Sequence, residues 1–414
     1  MSKNNDLVFA LDIGTRTVIG LVLKKENNNF KIIDSEVVEH SKRAMLDGQI
    51  HNVTEVSKIV KKIKNELENR LGDKLKKVAI AAAGRALETI NTEYEFDYKR
   101  RKYIEREDVQ ELEYACIQKA QNILAKSNEE NNAGDYHFVG YSVMSYNLDS
   151  MYIKDLVGQK GRKIKVKLIA TFLPQVVIDS LLSVIQRADL EVDYLTLEPI
   201  AASKLVIPEE MYNFNLVLID IGAGTSDIAI TKGGSMIGYA MVPVAGDEIT
   251  EKISEKYMLE YNKAEKAKRS LGEKKEYKTS TILGNEIIIE KEETLDFIKP
   301  QIKEMVELII SKVVEINDSL PKAVMCVGGG SLTPLLKEEL VKGFDLPESR
   351  IGIRNGSNLE NITGEIDNIK GPQSLTPIGI AVSAFNNSSE TIFANVEVNG
   401  QNIQIFSLNT PNIS

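Results

Sequence analysis

Cysteine and histidine are scarce in this chain of 414 residues, which contains two cysteines and three histidines. Cys116 lies in a helix-like pattern and Cys326 in a strand-like pattern, both among apolar neighbours. We therefore expect two buried thiols in a reducing compartment rather than a disulfide or a zinc site. The histidines are scattered, and no Ser/His/Asp order predicts a hydrolase triad.

A basic surplus and long apolar runs are also missing. The 51 basic and 60 acidic residues give a formal net charge of −9, which disfavours a nucleic-acid partner. The first residues, MSKNNDL, lack the apolar stretch of a signal peptide, and nothing approaches the ~20 apolar residues of a membrane span. We expect a cytoplasmic α/β protein that is long enough for two or more domains.

The chain is predicted to consist of two halves that each open with strands. Strands are expected near residues 7–13, 17–24 and 30–38, followed by a helix over 54–71, and a second strand pair covers 215–230. A long helix in the second half is predicted to bury Phe297, Ile302 and Met305. Residues 85–167 interrupt the alternation of the first half, which indicates an inserted α/β subdomain.

Each half begins with the same motif. In FALDIGTRTVIG, residues 9–20, Asp12 ends an apolar strand and a turn through Gly14 and Thr15 leads into a second strand. The plan recurs 208 positions later in VLIDIGAGTSDIAI, at Asp220, Gly222, Gly224 and Thr225. One copy alone would fit an ordinary hairpin with a capping aspartate. Two copies, one opening each half, favour a two-sided phosphate site.

The residue types in these turns suit a nucleotide phosphate and a metal ion. A glycine lets a phosphate approach the main chain, which a Cβ would block. Hydroxyl donors are available from Thr15, Thr225 and Ser226. The two aspartates suit Mg²⁺ held through water. No G-x-x-x-x-G-K-[ST] motif is present, so a Walker P-loop is excluded.

Three further features leave alternatives open. The turn VGGGSLTP, residues 327–334, is predicted to join a strand to a helix whose N-terminus favours phosphate. It would let a ring or sugar lie against the backbone, although glycine turns of this kind are common. Glu265 and Lys268 share one helix face, which fits either a ligand contact or a solvated surface. Glu198 either orients a water between the lobes or caps the helix that follows it.

The order DIGT, EPIAAS, DIGAGTSD, GGGS and PIGIA resembles the actin-like ATPase superfamily, which includes actin, sugar kinases and the 70-kilodalton heat-shock chaperones. The resemblance implies an actin-like ATPase fold, in which two duplicated ribonuclease-H-like domains clasp ATP and Mg²⁺. It implies that Asp12 and Asp220 hold the metal through water and that Glu198 orients the attacking water, with weak ATPase activity at most. The cofactor-binding residues that it implies are Gly14, Thr15, Arg16, Thr17, Gly222, Gly224, Thr225, Ser226, Asp227, Gly246, Glu265, Lys268, Gly328, Gly329, Gly330 and Ser331.

The insert narrows the resemblance to the cell-division protein FtsA, in which an SHS2-like subdomain 1C replaces the usual 1B. The segment is REDVQELEYACIQKAQ followed by HFVGYSVMSYNLDSMYIKDLVGQKGRKIKVKLIAT. The implied division is domain 1 over 1–84, 168–210 and 372–386, subdomain 1C over 85–167, and domain 2 over 211–371 with subdomain 2B near 247–295. The chain departs from the family at Arg16-Thr17, where Ser or Thr followed by Lys is usual.

The resemblance implies a protein that self-associates head to tail and links a tubulin-like FtsZ homologue to other division proteins through subdomain 1C. Membrane contact would be indirect, or made by a segment outside this sequence, at the inner face of the cell membrane at the division site. A scaffold for type IV pilus assembly like PilM is the alternative, whereas a chaperone or a sugar kinase is disfavoured. Residues 387–414 carry a hairpin signal at Asn399-Gly400. We expect either that they begin a further domain or that the chain is a fragment of a longer protein.

Overall fold

A computed structural model describes residues 7–26, 29–41, 43–83, 87–131, 135–359, 361–364, 369–387, 392–398 and 401–406. Two sheets with the same topology form its framework. In each sheet the first three strands along the chain are antiparallel neighbours. Two later strands lie parallel to the first of these, on its other side. This repeat confirms the predicted duplication.

The first sheet has the strand order β11-β6-β1-β2-β3-β19. Its strands are β1 (Leu7–Ile13), β2 (Thr17–Glu26), β3 (Asn29–Glu39), β6 (Lys77–Ala82), β11 (Glu191–Leu197) and β19 (Ile362–Gly364). Helices α1 (Val53–Leu71) and α3 (Gln175–Arg187) pack on one face, while α4 (Glu198–Val206) and α9 (Leu375–Asn387) pack on the other. The predicted strands and helix of this half are confirmed, and Val56, Val60 and Ile63 of α1 are buried as the spacing predicts.

The second sheet has the order β14-β13-β12-β17-β18. Its strands are β12 (Leu216–Ile221), β13 (Ser226–Lys232), β14 (Ser235–Val242), β17 (Ala323–Val327) and β18 (Ile351–Ile353), and its helices are α5 (Gly246–Tyr257), α6 (Tyr261–Leu271), α7 (Lys291–Asn317) and α8 (Leu336–Phe344). In α7, Ile302 and Met305 are buried as expected. The prediction for Phe297 is wrong: its ring is 41% exposed under the Lys256 ammonium, and Ile298 takes the buried position.

Residues 88–174 form a separate antiparallel sheet with its own core. Strands β7 (Glu88–Tyr103), β8 (Tyr136–Leu148), β9 (Met151–Ile153) and β10 (Lys160–Pro174) lie in the order β7-β10-β8-β9, and α2 (Arg106–Asn131) covers one face. Cys116 is buried in this core, and Cys326 is buried in the core around the second sheet. Both are free thiols, which confirms the prediction of two buried thiols. None of the helices in the described ranges is both long and apolar enough to cross a membrane.

The remaining strands form three two-stranded pairs: β4 (Met45–Leu46) with β5 (Gln49–Ile50), β15 (Glu276–Ser280) with β16 (Glu286–Glu290), and β20 (Ile392–Val398) with β21 (Gln401–Phe406). The last pair is the predicted C-terminal hairpin, although its turn at Asn399-Gly400 lies outside the described residues. The predicted domain boundary at 84/85 lies outside them as well.

Helices α4 and α9 cross between the two lobes. At the crossing a Cβ on Gly379 would lie 2.3 Å from the carbonyl oxygen of Ala201, so the two backbones are in direct contact. Because α4 begins directly after β11 and α9 packs on β1 and β2, the pair connects the first sheet to the second. This crossing fixes how the two strand ends that carry Asp12 and Asp220 face each other.

Candidate functional site

The two repeated turns have the same hydrogen-bond geometry. The Gly14 N–H donates to the Thr17 carbonyl at 3.0 Å, and the Gly222 N–H donates to the Thr225 carbonyl at 2.9 Å. Each turn follows the strand that ends in the motif's aspartate, β1 or β12, and enters the neighbouring antiparallel strand. The first loop (residues 14–17) and the second loop (residues 222–225) are therefore matched in structure as well as in sequence.

The two loops line one cleft of about 410 Å³ between the lobes. They also approach each other, since a Cβ on Gly224 would lie 2.9 Å from the Thr15 Oγ1. That Oγ1 accepts a hydrogen bond from the Gly48 N–H at 3.0 Å, which leaves the hydroxyl proton of Thr15 available for a ligand. Gly224 is needed for this close approach and does not itself line the cleft.

Carboxylates occupy the floor of the cleft. Asp12, Asp220 and Glu198 all line it. Burial, with the charges of Asp220 and Asp227 added, raises the pKa of Asp12 to about 8. Burial raises the pKa of Asp220 to about 6, and burial together with Asp12 raises the pKa of Glu198 well above its ordinary value. The cleft therefore holds carboxyl groups whose ionised form is unfavourable unless a cation lies beside them.

Glu198 lies at a position that is compatible with both interpretations of its sequence. It is the first residue of α4, where a carboxylate is favourable near the helix N-terminus, and it also lines the cleft between the lobes. The charge of Asp12 acts on it, so these side chains lie close together although they are far apart in sequence.

Asp220 is positioned by elements from distant parts of the chain. Its Oδ2 accepts a hydrogen bond from the Thr376 hydroxyl on α9, a contact that no motif indicated. Gly328 lies against its other oxygen, with a positive φ of 79° and an ideal Cβ position only 2.2 Å from Oδ1. Any residue other than glycine at 328 would displace the aspartate or the loop.

The second loop is held from behind by α5 and α6. The N–H groups of Gly246 and Asp247 donate to the carbonyls of Gly222 (3.3 Å) and Ala223 (2.7 Å). The Lys268 Nζ in turn donates to the Gly246 carbonyl at 2.7 Å. These bonds fix the backbone of the second loop. The first N–H groups of α5 therefore donate to carbonyls of that loop.

Glu265 and Lys268 line the cleft, but they are almost fully buried and bind each other at 2.8 Å. Although burial acts in the opposite direction, Lys268 and Arg16 lower the pKa of Glu265 to about 2. Lys268 also donates to the Thr250 hydroxyl at 2.7 Å. The pair is therefore largely engaged within the protein, and Arg269 presents a more exposed side chain to the cleft.

Ionic contacts join the two lobes beside this pair. The guanidinium of Arg269 lies 3.0 Å from Glu39 of β3, and that of Arg16 in the first loop lies 3.8 Å from Glu265 of α6. Glu39 also lies 3.7 Å from Arg16. Arg16, at the position where the chain departs from the family pattern, is therefore shared between the lobes.

Most of the predicted cofactor-binding residues line the cleft, and four do not. Those that line it are Gly14, Thr15, Arg16, Thr17, Gly222, Thr225, Gly246, Glu265, Lys268, Gly328, Gly329 and Gly330. Those that do not are Gly224, Ser226, Asp227 and Ser331. The hydroxyls of Ser226 and Ser331 donate to the carbonyls of Val244 (2.8 Å) and Gly328 (2.7 Å), so local backbone acceptors engage them.

The glycine-rich turn differs from its prediction in one respect. It leads into a single 3-10 turn, Gly329–Leu332, and α8 begins only at Leu336, so no long helix points its N-terminus into the cleft from here. Leu332 is 60% exposed and, with Thr333 and Pro334, lines the cleft. These three residues follow the glycines and Ser331 directly in sequence, which is the one signal that could have indicated them.

Two solved structures share this architecture. The PilM-PilN type IV pilus biogenesis complex matches with a TM-score of 0.66 at 16% identity, over 91% of this chain and 98% of the other. MreB 5 of Spiroplasma citri bound to AMPPNP matches with a TM-score of 0.50 at 14% identity, over 92% and 96%. The repeated sheets, the crossing helices and these likenesses define the actin-like ATPase fold.

Sequence comparisons find similarity to two families. A family described as "Cell division protein FtsA" matches residues 217–389, and "Type IV pilus assembly protein PilM" matches residues 135–298. The cell division protein FtsA of Buchnera aphidicola subsp. Schizaphis graminum is 23% identical over 92% of this chain and 91% of its own length. That of Bacillus subtilis is 21% identical over 93% and 85%. Over most of its length the chain is thus similar to FtsA cell-division proteins, and its fold is that of the actin-like ATPases.

Proposed function

We propose that the cleft binds ATP with Mg²⁺, with the phosphates between the first and second loops. The observation that carries this proposal is the pair of matched turns, which face one cleft above a floor of buried carboxylates. The hydroxyls of Thr15 and Thr225 and the backbone of Gly14 and Gly222 would contact the phosphates. Leu332 and Pro334 lie at the apolar side of the cleft, where a base would pack.

The carboxylates fit a magnesium ion that keeps its water shell. In the described residues no group of three or more His, Cys, Asp or Glu side chains is arranged to hold a metal directly. Mg²⁺ commonly keeps several waters and uses one or two carboxylates together with phosphate oxygens. The raised pKa values of Asp12 and Asp220 support this proposal, because a cation between the two carboxylates would favour their ionised forms. When bound, the ion would neutralise phosphate charge.

Any hydrolysis is expected to be slow. Glu198 lines the cleft and is the candidate for orienting a water, with Asp12 beside it. Of the described side chains that line the cleft, none is a histidine, so no group with an ordinary pKa near 7 serves as general base. If Asp220→Ala released phosphate as fast as wild type, the measured ATPase activity would not come from this site.

Isothermal titration of the purified chain with ATP tests the binding proposal. We expect saturable binding that is tighter with Mg²⁺ than with EDTA, and a loss of most of this difference in Asp220→Asn. Asp296→Asn, on the exposed surface of α7, is the matched control and should behave as wild type. Absence of binding at millimolar ATP would overturn the proposal, and so would an equal magnesium effect in Asp220→Asn and wild type.

We also propose the division of the chain into domain 1, subdomain 1C and domain 2 at the boundaries expected from the sequence. Head-to-tail self-association would repeat one contact between neighbouring subunits. ATP bound between the two lobes of a subunit would set the angle between them. The family match supports a role in linking a tubulin-like FtsZ homologue to other division proteins. Sedimentation at increasing protein concentration, with and without Mg-ATP, tests self-association; a single monomeric species under all conditions would contradict it.

A pilus-assembly scaffold is the second candidate, because a PilM family match covers residues 135–298 and includes the C-terminal part of the insert. The two candidates predict different partners for the same purified chain. Co-pelleting with FtsZ polymers supports the division role. Binding of a pilus inner-membrane tail peptide without FtsZ pelleting would support the scaffold instead.

A further inference from the structure

The antiparallel sheet of residues 88–174 has one end that lies far from the first lobe. Its strand β10 ends at Pro174, directly before α3 of that lobe, and begins at Lys160, which pairs with Tyr103 of β7. A strand of 15 residues spans about 50 Å, so the Tyr103 end is remote from the lobe. We call residues 99–106 and 149–163, which meet at this end, the distal tip.

Backbone hydrogen bonds join the two segments of the distal tip. The Ile104 N–H donates to the Gln159 carbonyl at 2.8 Å. The turn after β8 is fixed as well, because the Asp149 carboxylate accepts from the N–H groups of Arg162 and Lys163 at 3.0 and 2.9 Å. The side chains at this end are therefore presented from an ordered backbone.

Four large apolar side chains stand out from the distal tip, and we call them the apolar row. Tyr103 is 64% exposed, Met151 70% and Tyr152 65%, and Val157 is exposed as well. They belong to β7 and β9, at opposite edges of the sheet, and to the turn before β10. Because three strand spacings separate the edges, the row extends about 14 Å across the strand ends. Clustered exposed apolar groups of this kind mark interaction sites.

The distal tip is the basic end of an acidic protein. It contains nine basic and three acidic residues, whereas the remaining chain contains 42 basic and 57 acidic ones. Two of its acids act locally, since Asp149 accepts the backbone N–H groups named above and Asp155 accepts from the Val157 N–H at 2.8 Å. The third, Glu105, is exposed beside Glu107 at the start of α2.

Ion pairs engage only part of this basic charge. The paired ones are Arg162 and Lys163 with Asp97, Lys102 with Asp108, and Arg101 with Asp149. In the described part of the chain no carboxylate forms an ion pair with the exposed side chains of Lys99, Arg100 or Lys154. Lys160 lies over the Tyr103 ring, 5.2 Å from its centre. We call these four residues the tip cations.

An irregularity in β7 brings Lys99 and Arg100 to the tip. Pairing with β10 passes from Asp97 opposite Lys163 to Lys102 opposite Gly161, so residues 98–101 bulge out of the ladder. Lys99 and Arg100 therefore lie level with the first residues of β10. Basic and apolar side chains are exposed together at one end of the sheet.

The shape of the tip favours a lipid bilayer over a peptide. A side chain that is two-thirds exposed stands out from the surface and does not line a groove that would receive a ligand. The apolar row also crosses strand ends, so a peptide strand that paired along an edge would not follow it. Tyrosine beside lysine and arginine is typical of protein at the bilayer interface, where basic residues bind anionic lipid.

We propose that the distal tip docks reversibly on an anionic lipid bilayer. The apolar row enters the boundary between headgroups and acyl chains, and the tip cations contact anionic headgroups. This docking does not depend on nucleotide in the cleft. It differs from the expectation that membrane contact is indirect or made by a segment outside this sequence.

Flotation of the nucleotide-free full chain with vesicles tests the proposal. One set of vesicles contains phosphatidylglycerol and phosphatidylcholine in equal parts, and the other contains phosphatidylcholine alone. We expect saturable binding to the anionic vesicles that weakens as sodium chloride is raised, and little binding to the neutral ones. Absence of binding to the anionic vesicles would overturn the proposal, and so would equal binding to both sets.

Variants of exposed residues separate the tip from general adsorption. Lys99→Gln with Arg100→Gln should weaken vesicle binding about 25-fold, since each basic residue near an anionic leaflet contributes about fivefold. Lys274→Gln with Lys275→Gln, an adjacent exposed pair before β15, is the charge-matched control and should bind as wild type. Equal weakening in both double variants would assign the binding to net charge and overturn the proposal.

The apolar row has a matched control in the turn between β15 and β16. Met151→Ser with Tyr152→Ser should weaken binding to anionic vesicles about tenfold or more. Ile282 and Leu283 are likewise exposed, and Ile282→Ser with Leu283→Ser should leave binding unchanged. If the Met151 and Tyr152 variant lost self-association in lipid-free sedimentation but kept vesicle binding, the tip would be a protein interface and the proposal would fail.

Tryptophan fluorescence reports insertion directly, because the chain contains no tryptophan. With Tyr152→Trp we expect a blue shift of the emission on adding anionic vesicles, and quenching by lipids with brominated acyl chains. Leu283→Trp is the control and should show neither change. An unshifted Tyr152→Trp spectrum under conditions where the protein floats with the vesicles would overturn the insertion of the apolar row.

Discussion

Neutralising Asp12 should remove the pH dependence that this residue gives to the stability of the nucleotide-free protein. Burial, with the charges of Asp220 and Asp227 added, raises the pKa of Asp12 to about 8 from the ordinary value of 3.8. Between these two values the folded state binds more protons than the unfolded state, so the free energy of unfolding falls as pH rises. This loss of stability is absent below about pH 4 and complete above about pH 8.

The size of this effect follows from the shift. One pKa unit corresponds to 1.36 kcal/mol, so the difference between the folded and unfolded pKa of Asp12 lowers stability by on the order of 4 kcal/mol at pH 7 and somewhat more at pH 9. Asp12→Asn has nearly the same shape and does not titrate. Relative to wild type, the variant should therefore gain stability steadily from pH 5 to pH 8.5. Part of the wild-type slope should remain in the variant, because Asp220 and Glu198 also have raised pKa values.

Urea unfolding at pH 5, 7 and 8.5 in EDTA, followed by circular dichroism, measures this difference. Asp296→Asn is the control and should run parallel to wild type at every pH. Stability curves of Asp12→Asn that run parallel to wild type would refute the electrostatic account of the cleft floor. Saturating Mg-ATP should flatten the wild-type slope, because the metal offsets the cost of ionisation.

Three further substitutions test the contacts around the cleft. Gly328→Ala forces a positive φ on alanine and drives its Cβ into Asp220, so we expect a loss of about 2 kcal/mol or more in urea unfolding together with weaker Mg-ATP binding. Gly379→Val pushes into the Ala201 backbone at the helix crossing and should cost about 1–3 kcal/mol and change the nucleotide affinity. Lys268→Met leaves a buried carboxylate with one partner fewer and should lower stability by about 3 kcal/mol, as seen by thermal melting.

Matched controls exist for two of these changes. Gly352 has no heavy atom within 4 Å of its ideal Cβ, so Gly352→Ala should be close to neutral. Lys266 is exposed on the same helix as Lys268, and Lys266→Met should change stability by no more than about 0.5 kcal/mol. Equal losses in a variant and its control would contradict the contacts assigned to Gly328 or Lys268.

The repeated turns could be predicted from sequence because they are local. A strand that ends in aspartate, a glycine turn and a second strand form one continuous segment, and the copies at Asp12 and Asp220 showed that they form a pair. The order of these motifs along the chain was enough to predict the fold, which the five-stranded pattern shared by the two sheets confirms.

The contacts that complete the site come from distant segments, and spacing alone does not reveal them. Thr376 reaches Asp220 across 156 positions, and Gly48 reaches Thr15 across 33. Ser226 is predicted as a ligand donor from its residue type and Ser331 as a ligand contact from the resemblance, but backbone carbonyls accept from their hydroxyls. A scattered histidine gave no signal in the sequence, since only the fold brings His40 to the Gly14 carbonyl.

The central claim is that matched loops from two lobes hold one Mg-ATP between them. A crystal structure of the full chain with Mg²⁺ and a non-hydrolysable ATP analogue tests it most directly. We predict phosphates in contact with both the first and second loops, and a metal whose waters reach Asp12 and Asp220. A nucleotide bound elsewhere, or held by one loop only, would contradict the account.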